Sequence, residues 1–438
     1  MLMRKTGQEL LSKVVQSGQG LVAARSFFGR KSKHSSAQYI EKEKCYSAHN
    51  YIPIPAVLSR GEGVHVWDAE GKKYLDFLAG FATLNTGHCH PKLVSTLKEQ
   101  ASTLHHTARA FHNDVFPEYA EYVCKYFGYD KVLPMNTGVE GGETAVKIAR
   151  RWGYTVKKIC ENKALVVFPE GNFWGRTMSA ISTSTNPVMY ENFGPFMEGF
   201  GLVPYNDLCA LEEALKNPNV CAFMMEPIQG EAGVVVPNER YLSEVRRLCT
   251  MYNVLWIADE VQTGLGRTGA LLACDHECVR PDMAIIGKGL AGGFTPVSAV
   301  LANDNVMSVI TPGSHGSTFG GNPLGCKLAM KTLEIIKEEK LIENSAILGE
   351  KFRTELICRL PKDKVPFIRG KGLMNAIAIN PEYGTAWDFC VKLKDNGLLT
   401  KPCDGNVVRF TPPLILNDQQ LSQGLDIIEK TVNELKKC

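Results

Sequence analysis

Apolar positions along this chain follow two rhythms. In "PKLVSTLKEQASTL" (91–104) and "ETAVKIARRWGYTVKK" (143–158) they return every three or four residues, the spacing that lines one face of a helix. Between such segments stand short apolar runs: "ALVVF" (164–168), "CAFMMEP" (221–227), "VLWIADE" (254–260), "MAIIGK" (283–288) and "VSAVLA" (297–302). Strands made almost continuously of Val, Ile, Leu and Met are buried on both faces, as in a mostly parallel sheet with helices on each side. Upstream, "GVHVWDAEGKKYLDFLAG" (63–80) alternates apolar and polar residues around a turn at Glu70-Gly71, a hairpin pattern. From about residue 326 the chain is helical ("CKLAMKTLEIIKEEKLIENSAILGEKFRTEL"). It continues as strand-like "LMNAIAI" and "NVVRFTPPLIL" and closes with a helix over 418–437. The expected fold is α/β: a large domain over 91–325 with a mostly parallel sheet flanked by helices, and a smaller α+β domain over 326–438. A segment of short strands and turns over 37–90 joins the small domain, and residues 1–36 form an N-terminal arm.

Composition adds limits. A chain of 438 residues exceeds one simple core, and 44% hydrophobic with 22% charged residues is the balance of a soluble globular protein. The net charge of +3 gives no overall field that would draw nucleic acid or a membrane surface. That charge is uneven: residues 1–36 hold seven Lys or Arg against Glu9 alone, a net of +6 that leaves −3 for the rest. This arm is also serine-rich, with Leu10, Leu11, Val14 and Val15 at helical spacing. It resembles a transit peptide to the mitochondrial matrix; the alternative is a basic arm retained on a cytoplasmic protein. No run reaches the ~18 apolar residues of a membrane span. The fourteen cysteines are scattered, without a secretory signal, and read as reduced thiols. Cys274, His276 and Cys278 bunch together, but no second ligand pair at metal spacing follows, and His88-Cys89-His90 reads as a polar turn before a helix. No metal site is expected.

Three of the short strands end in charge: Glu226 closes "AFMME", Asp259 and Glu260 close "LWIADE", and Lys288 closes "AIIGK". A charged strand end is ordinarily a solvated exit. Ligands of open α/β sheets, however, bind beyond the carboxyl ends of the strands, and several such exits side by side gather acids and a lysine at one edge. A desolvated lysine favours its free amine and suits Schiff-base chemistry. Pyridoxal phosphate requires such a lysine, an acid for its ring nitrogen and a cradle for its phosphate. Asp259 is the natural acid. "NTGVEGGETAVKIARR" (136–151), a Gly-rich turn feeding a helix, offers backbone N–H groups and a favourable dipole to an anion. "HGSTFGGNP" (315–323) is a second phosphate candidate. The glycines after Lys288 are expected to leave room for the ring.

With these residues in view the chain resembles the class III (fold-type I) pyridoxal-phosphate aminotransferases, and among them the ornithine aminotransferases. The likeness rests on "GHCHPK", "NTGVEGGETAVKIARRWGYTVK", "GNFWGRTMSAIS", "FGPFMEGF", "EPIQGEAGVVVP", "IADEVQTGLGRTG", "GKGLAGGFTPVSAVL", "HGSTFGGNPLGC" and "VVRFTPPL", in that order over residues 45–438. It implies that Lys288 attaches the cofactor and moves the proton at the substrate carbon, and that Asp259 pairs with the pyridine nitrogen. Gln262 would bond the ring hydroxyl and Phe173 would stack on the ring, although a core aromatic is its ordinary role. Gly138 and Val139 would bind the phosphate through their backbone N–H groups. Ser317 and Thr318 would reach the phosphate of a neighbouring subunit, which makes the protein a homodimer with shared sites.

The resemblance also assigns the substrates, L-ornithine and 2-oxoglutarate. Arg176 would take a carboxylate distant from the reacting group, and Arg409 the α-carboxylate of 2-oxoglutarate, since a guanidinium fork binds carboxylates bidentately. Glu231 would mask Arg409 in the first half-reaction and swing aside in the second. Tyr51 would hold the ornithine α-amino group. Phe81 departs from the family pattern, which has tyrosine there. Loss of a buried polar partner changes selectivity by ~1–3 kcal/mol, so N-acetylornithine or 4-aminobutyrate stand as alternative donors.

Overall fold

The continuous apolar runs become the inner strands of a seven-stranded sheet. The computed structural model describes residues 34–437; the expected transit segment or basic arm lies, but for its last three residues, outside them. In chain order the strands are β1 (Leu58–Glu62), β2 (His65–Asp68), β3 (Lys73–Asp76), β4 (Lys131–Met135), β5 (Leu165–Pro169), β6 (Phe200–Val203), β7 (Val220–Met225), β8 (Leu255–Asp259), β9 (Met283–Ile286), β10 (Ser298–Ala302), β11 (Ile368–Lys371), β12 (Met374–Ala378), β13 (Leu398–Leu399), β14 (Lys401–Cys403) and β15 (Val407–Phe410). The helices used below are α1 (Ser36–Tyr46), α2 (Pro91–Thr103), α3 (Val115–Phe127), α4 (Gly138–Thr155), α5 (Tyr241–Met251), α6 (Pro323–Glu338), α7 (Leu341–Arg359) and α8 (Asp418–Asn433).

The large sheet has the order β4-β10-β9-β8-β7-β5-β6. Pairing is parallel from β9 through β6, while β10 runs antiparallel to both β9 and β4. Every residue of β7, β8, β9 and β10 is buried, which is why their sequences show no alternation. On one face Ile148 and Trp152 of α4 pack with Phe168, Ile257 and Ile285. On the other, Val245 and Leu248 of α5 meet Phe223 and Trp256. A larger cluster joins α2, α3, α6, α7 and α8 through residues such as Leu93, Tyr119, Leu333, Phe352 and Ile428. Two four-stranded sheets complete the fold, β1-β2-β3-β13 and β11-β12-β15-β14. The predicted hairpin is β2–β3, antiparallel around residues 69–72.

The stretch after residue 36, expected as strands and turns, begins instead with helix α1. It has no buried residue, so no apolar stripe could announce it. It is held by a Ser35/Gln38 capping box and by bonds from Ser36 to Glu70. The unpredicted strands β4 and β6 are the two sheet edges, and β4 carries Pro134, which an edge or near-edge position tolerates. Among the described residues no helix is long and apolar enough to cross a membrane. The thirteen cysteines among them are all free. His276 bonds Thr268 rather than gathering with Cys274 and Cys278.

Candidate active site

Because β7, β8 and β9 are adjacent and parallel, their carboxyl ends open on one edge. Asp259 is the last residue of β8, Glu226 follows β7, and Lys288 lies two residues past β9. Asp259 is 5% exposed, and among the described residues its carboxylate accepts one hydrogen bond, from the Val261 N–H at 3.0 Å. Burial lifts its pKa to about 7 despite that bond and the nearby Lys288. Burial, and then the charge of Arg409, lower Lys288 to about 8. A backbone φ of 45° at Lys288 sits in the left-handed region, the kind of strain that functional sites store. Glu226 accepts the Phe173 N–H at 3.0 Å through Oε1 and the Gly230 N–H at 3.1 Å through Oε2. One buried carboxyl thereby ties the loop of Phe173 to the loop of Glu231; burial, then Asp259, push its pKa to about 8. The sequence marks Glu226 only as a strand-end acid, because its two partners lie on other segments.

The glycines after Lys288 have a different cause from the one expected. A Cβ on Gly292 would lie 2.4 Å from Leu93, and one on Gly293 would lie 2.4 Å from Leu84. Their φ values are 59° and 79°. The bare backbone is filled by the 84–93 segment and does not itself make space for a ring.

Helix α4 begins at the turn expected to hold phosphate. Its Thr137/Glu140 capping box uses the Glu140 N–H, bonded to Thr137 Oγ1 at 3.4 Å, and the Thr137 N–H, bonded to Glu140 Oε2 at 2.7 Å. The N–H groups of Gly138 and Val139 keep no acceptor among the described residues and face outward with the helix dipole. Ser317 Oγ accepts from Asn136 Nδ2 at 2.9 Å, which brings the 315–320 segment beside this helix start. His315 fastens that segment through Thr144 and Lys147, each at 2.8 Å. Thr318 is exposed. Asn136 and His315 were not singled out from sequence.

The substrate end is electrostatically composed. Arg409, in β15, has a side chain 1% exposed; its NH1 donates to Glu231 at 2.9 Å and to Gln262 Oε1 at 3.2 Å. Its Nε and NH2 are buried without a partner. Burial alone would raise the Glu231 pKa, but Arg409, then Lys288 and Arg176, hold it below the usual carboxylate value. The guanidinium lies 5.1 Å over the Phe81 ring. Phe81 belongs to a turn in which Ala79, Gly80, Phe81 and Ala82 all have positive φ, with Asp76 accepting the N–H groups of Leu78 and Ala79. Tyr51 is 62% exposed; it lines a cavity of about 600 Å³ with Phe81 and Lys401, and the Lys401 amine lies 5.6 Å over its ring. Arg176 is exposed, 5.9 Å over the Phe173 ring. Phe173, Glu231, Asn186 and Asp404 line a second cavity of about 320 Å³. Lys401 and Asp404 were not singled out from sequence either; nothing in a turn such as "KPCDGN" announces a pocket wall.

A lysine of depressed pKa, a buried acid, a helix start with free N–H groups and a covered arginine at one sheet edge define an amine-transferring site of the α/β type. The chain belongs to the class III aminotransferases, whose family model matches residues 46–432. Ornithine aminotransferase, mitochondrial, of Drosophila melanogaster is 58% identical over 426 residues, covering 95% of this chain and 98% of that protein. Among solved structures, the ornithine aminotransferase of Toxoplasma gondii ME49 superposes with a TM-score of 0.90 at 45% identity, covering 98% of this chain and 99% of that one. The acetylornithine aminotransferase of Elizabethkingia anophelis gives 0.83 at 51% identity, covering 92% and 100%.

Proposed function

We propose that the protein is an ornithine δ-aminotransferase that works with pyridoxal 5′-phosphate by ping-pong transamination. L-Ornithine gives up its δ-amino group and leaves as glutamate 5-semialdehyde, which cyclises to pyrroline-5-carboxylate. 2-Oxoglutarate takes the amino group and leaves as L-glutamate. The observation that carries this reading is Arg409, covered by Glu231 while two of its buried donors stay unpaired. A buried unpaired donor costs free energy that a bidentate carboxylate recovers. With Glu231 in place, an α-amino acid cannot seat its carboxylate there, so ornithine enters by its δ-end. With Glu231 swung aside, 2-oxoglutarate can.

The unmet groups also fit the cofactor. Asp259, short of a cationic donor, would hold the ring nitrogen; Gly138 and Val139 would bind the phosphate; Phe173 and Gln262 would contact the ring, and Lys288 its aldehyde. Bound, the cofactor supplies an aldehyde that takes up amines and a protonated ring that draws electrons from the substrate carbon. Lys288, whose amine loses its proton more readily than that of an ordinary lysine, moves the proton at the δ-carbon. Ser317 and Thr318 would complete the phosphate site of a second copy of the chain, so the working unit is a homodimer; the exposed Phe319 beside them supports this. The basic arm and the names of the mitochondrial relatives support a mitochondrial matrix location.

A donor panel tests the function. kcat/KM for L-ornithine should exceed that for N-acetylornithine and for 4-aminobutyrate, with the semialdehyde as product. The second reading, an acetylornithine aminotransferase, draws on the Elizabethkingia likeness and on Phe81, which offers no hydroxyl. A higher kcat/KM for N-acetylornithine would establish it in place of the first.

A further inference from the structure

Nothing in the transamination itself uses the "GHCHPK" motif. Its His88 meets a buried carboxylate: His88 Nε2 lies 2.7 Å from Asp76 Oδ2. The imidazole is itself held in place. His88 and Gly63 exchange both backbone hydrogen bonds, at 2.8 and 3.0 Å, and a Cβ on Gly61 would lie 2.6 Å from His88 Nδ1. The other oxygen of Asp76 accepts the N–H groups of Leu78 at 3.0 Å and Ala79 at 2.8 Å. These open the turn in which Ala79, Gly80, Phe81 and Ala82 have φ of 48°, 59°, 59° and 65°. Side chains disfavour that region, and three of the four residues are not glycine, so the turn persists only because its surroundings over-determine it. Thr411, just past β15, adds to them. Its N–H donates to the Phe77 carbonyl at 2.7 Å and its hydroxyl to the Leu78 carbonyl at 2.8 Å.

What the turn presents is the Phe81 ring, 5.1 Å from the Arg409 guanidinium. Arginine stacks on aromatic faces, and a ring held over the group fixes the plane of its fork. Glu231 and Gln262 both bond NH1, while Nε and NH2, an edge that a carboxylate can bridge, have no partner. Once Glu231 withdraws, the ring is what remains over the guanidinium. We propose that Asp76 and His88 are positioning residues for the second half-reaction: they hold the strained 79–82 turn so that Phe81 keeps Arg409 aligned for the α-carboxylate of the keto acid. This inference rests on the reading of Arg409 as the seat of 2-oxoglutarate and adds what keeps that seat in register.

Asp76→Ala should raise KM for 2-oxoglutarate about fivefold, the loss expected for a cation–π contact, and His88→Ala should raise it by a smaller factor. kcat/KM for L-ornithine should change less, because Glu231 holds Arg409 in that half-reaction. Asp76→Asn, which keeps an oxygen for the two N–H groups, should restore most of the difference. In a Phe81→Ala background Asp76→Ala should add nothing to KM for 2-oxoglutarate, since both changes then act through one contact. If Asp76→Ala does not fold, Thr411→Val, which removes one bond to the turn at similar side-chain volume, should give the same pattern at smaller size. An unchanged KM, an equal loss for both substrates, or an effect that persists in full without the Phe81 ring overturns the proposal. If instead Arg409→Gln leaves KM for 2-oxoglutarate unchanged, it is the underlying reading of Arg409 that fails.

Discussion

Glu231 earns its place only through Arg409, and its removal is informative for that reason. Hydrogen bonds to charged groups are worth about 1.5–3 kcal/mol, so Glu231→Ala should raise kcat/KM for L-glutamate relative to L-ornithine by at least about tenfold, as measured in paired steady-state assays. An unchanged ratio would show that the pair does not cover the α-carboxylate position. Asp259 makes a second residue-scale prediction. Its pKa rises from 3.8 to about 7 on folding, so the native state holds a proton that the unfolded chain has released between those values. Its stabilising contribution is fully present below 3.8 and is lost as pH climbs towards 7. In calorimetry of cofactor-free protein, Asp259→Asn should therefore gain in Tm relative to wild type between pH 5 and pH 7. A constant difference would contradict the buried, proton-bearing acid. Lys288, lowered from 10.5 to about 8, has the opposite sign: its penalty is present below 8 and relieved as pH rises to 10.5. Both residues were legible in sequence because a charged side chain ending an apolar strand is conspicuous. Glu226 was half legible: its position showed, but its two backbone partners come from distant segments.

Elements were legible where their faces were buried. Strands β7, β8, β9 and β10 stand where the apolar runs lie, since each is covered on both sides. Helix α1 was invisible because it buries nothing. The start of α4 shows one short sequence serving two ends. "NTGVE" supplies a capping box that consumes the Thr137 and Glu140 N–H groups and leaves those of Gly138 and Val139, the proposed phosphate ligands, without an acceptor among the described residues. Thr137→Ala should cost about 1 kcal/mol of stability, the usual worth of an N-cap, read as a lower denaturant midpoint in cofactor-free protein. The same substitution removes one of the four hydrogen bonds that hold the Glu140 carboxylate beside the proposed phosphate position, so the variant should also bind pyridoxal phosphate more weakly. Retention of full stability and cofactor affinity would show that the box has no role in holding the turn.

At the scale of the whole molecule, the proposed dimer has a consequence that one chain alone cannot meet. If Ser317 and Thr318 serve the partner's site, Lys288→Ala and a Ser317→Ala/Thr318→Ala double variant are defective in different halves of it. Mixed dimers of the two then contain one intact site and one doubly impaired site. Co-expressed variants should recover transaminase activity that neither homodimer has, measured on purified mixed dimers. No recovery would contradict sharing across the interface. Tyr46, Ile52, Leu58, Phe111 and Phe319 are exposed large apolar side chains, of the kind an interface would cover.

By itself the sequence determined which segments must be buried and where charge leaves the core, because periodicity and strand-end residues are local properties of the chain. It also carried the family, since many short motifs in fixed order are hard to reach by chance. Only the tertiary structure decided strand order, which sets Glu226, Asp259 and Lys288 on one edge, and the closure that brings Arg409 to Glu231 across 178 residues. It also gave the glycines after Lys288 their packing partners. Contacts between segments far apart in the chain depend on how helices and sheets pack, and no local pattern encodes that.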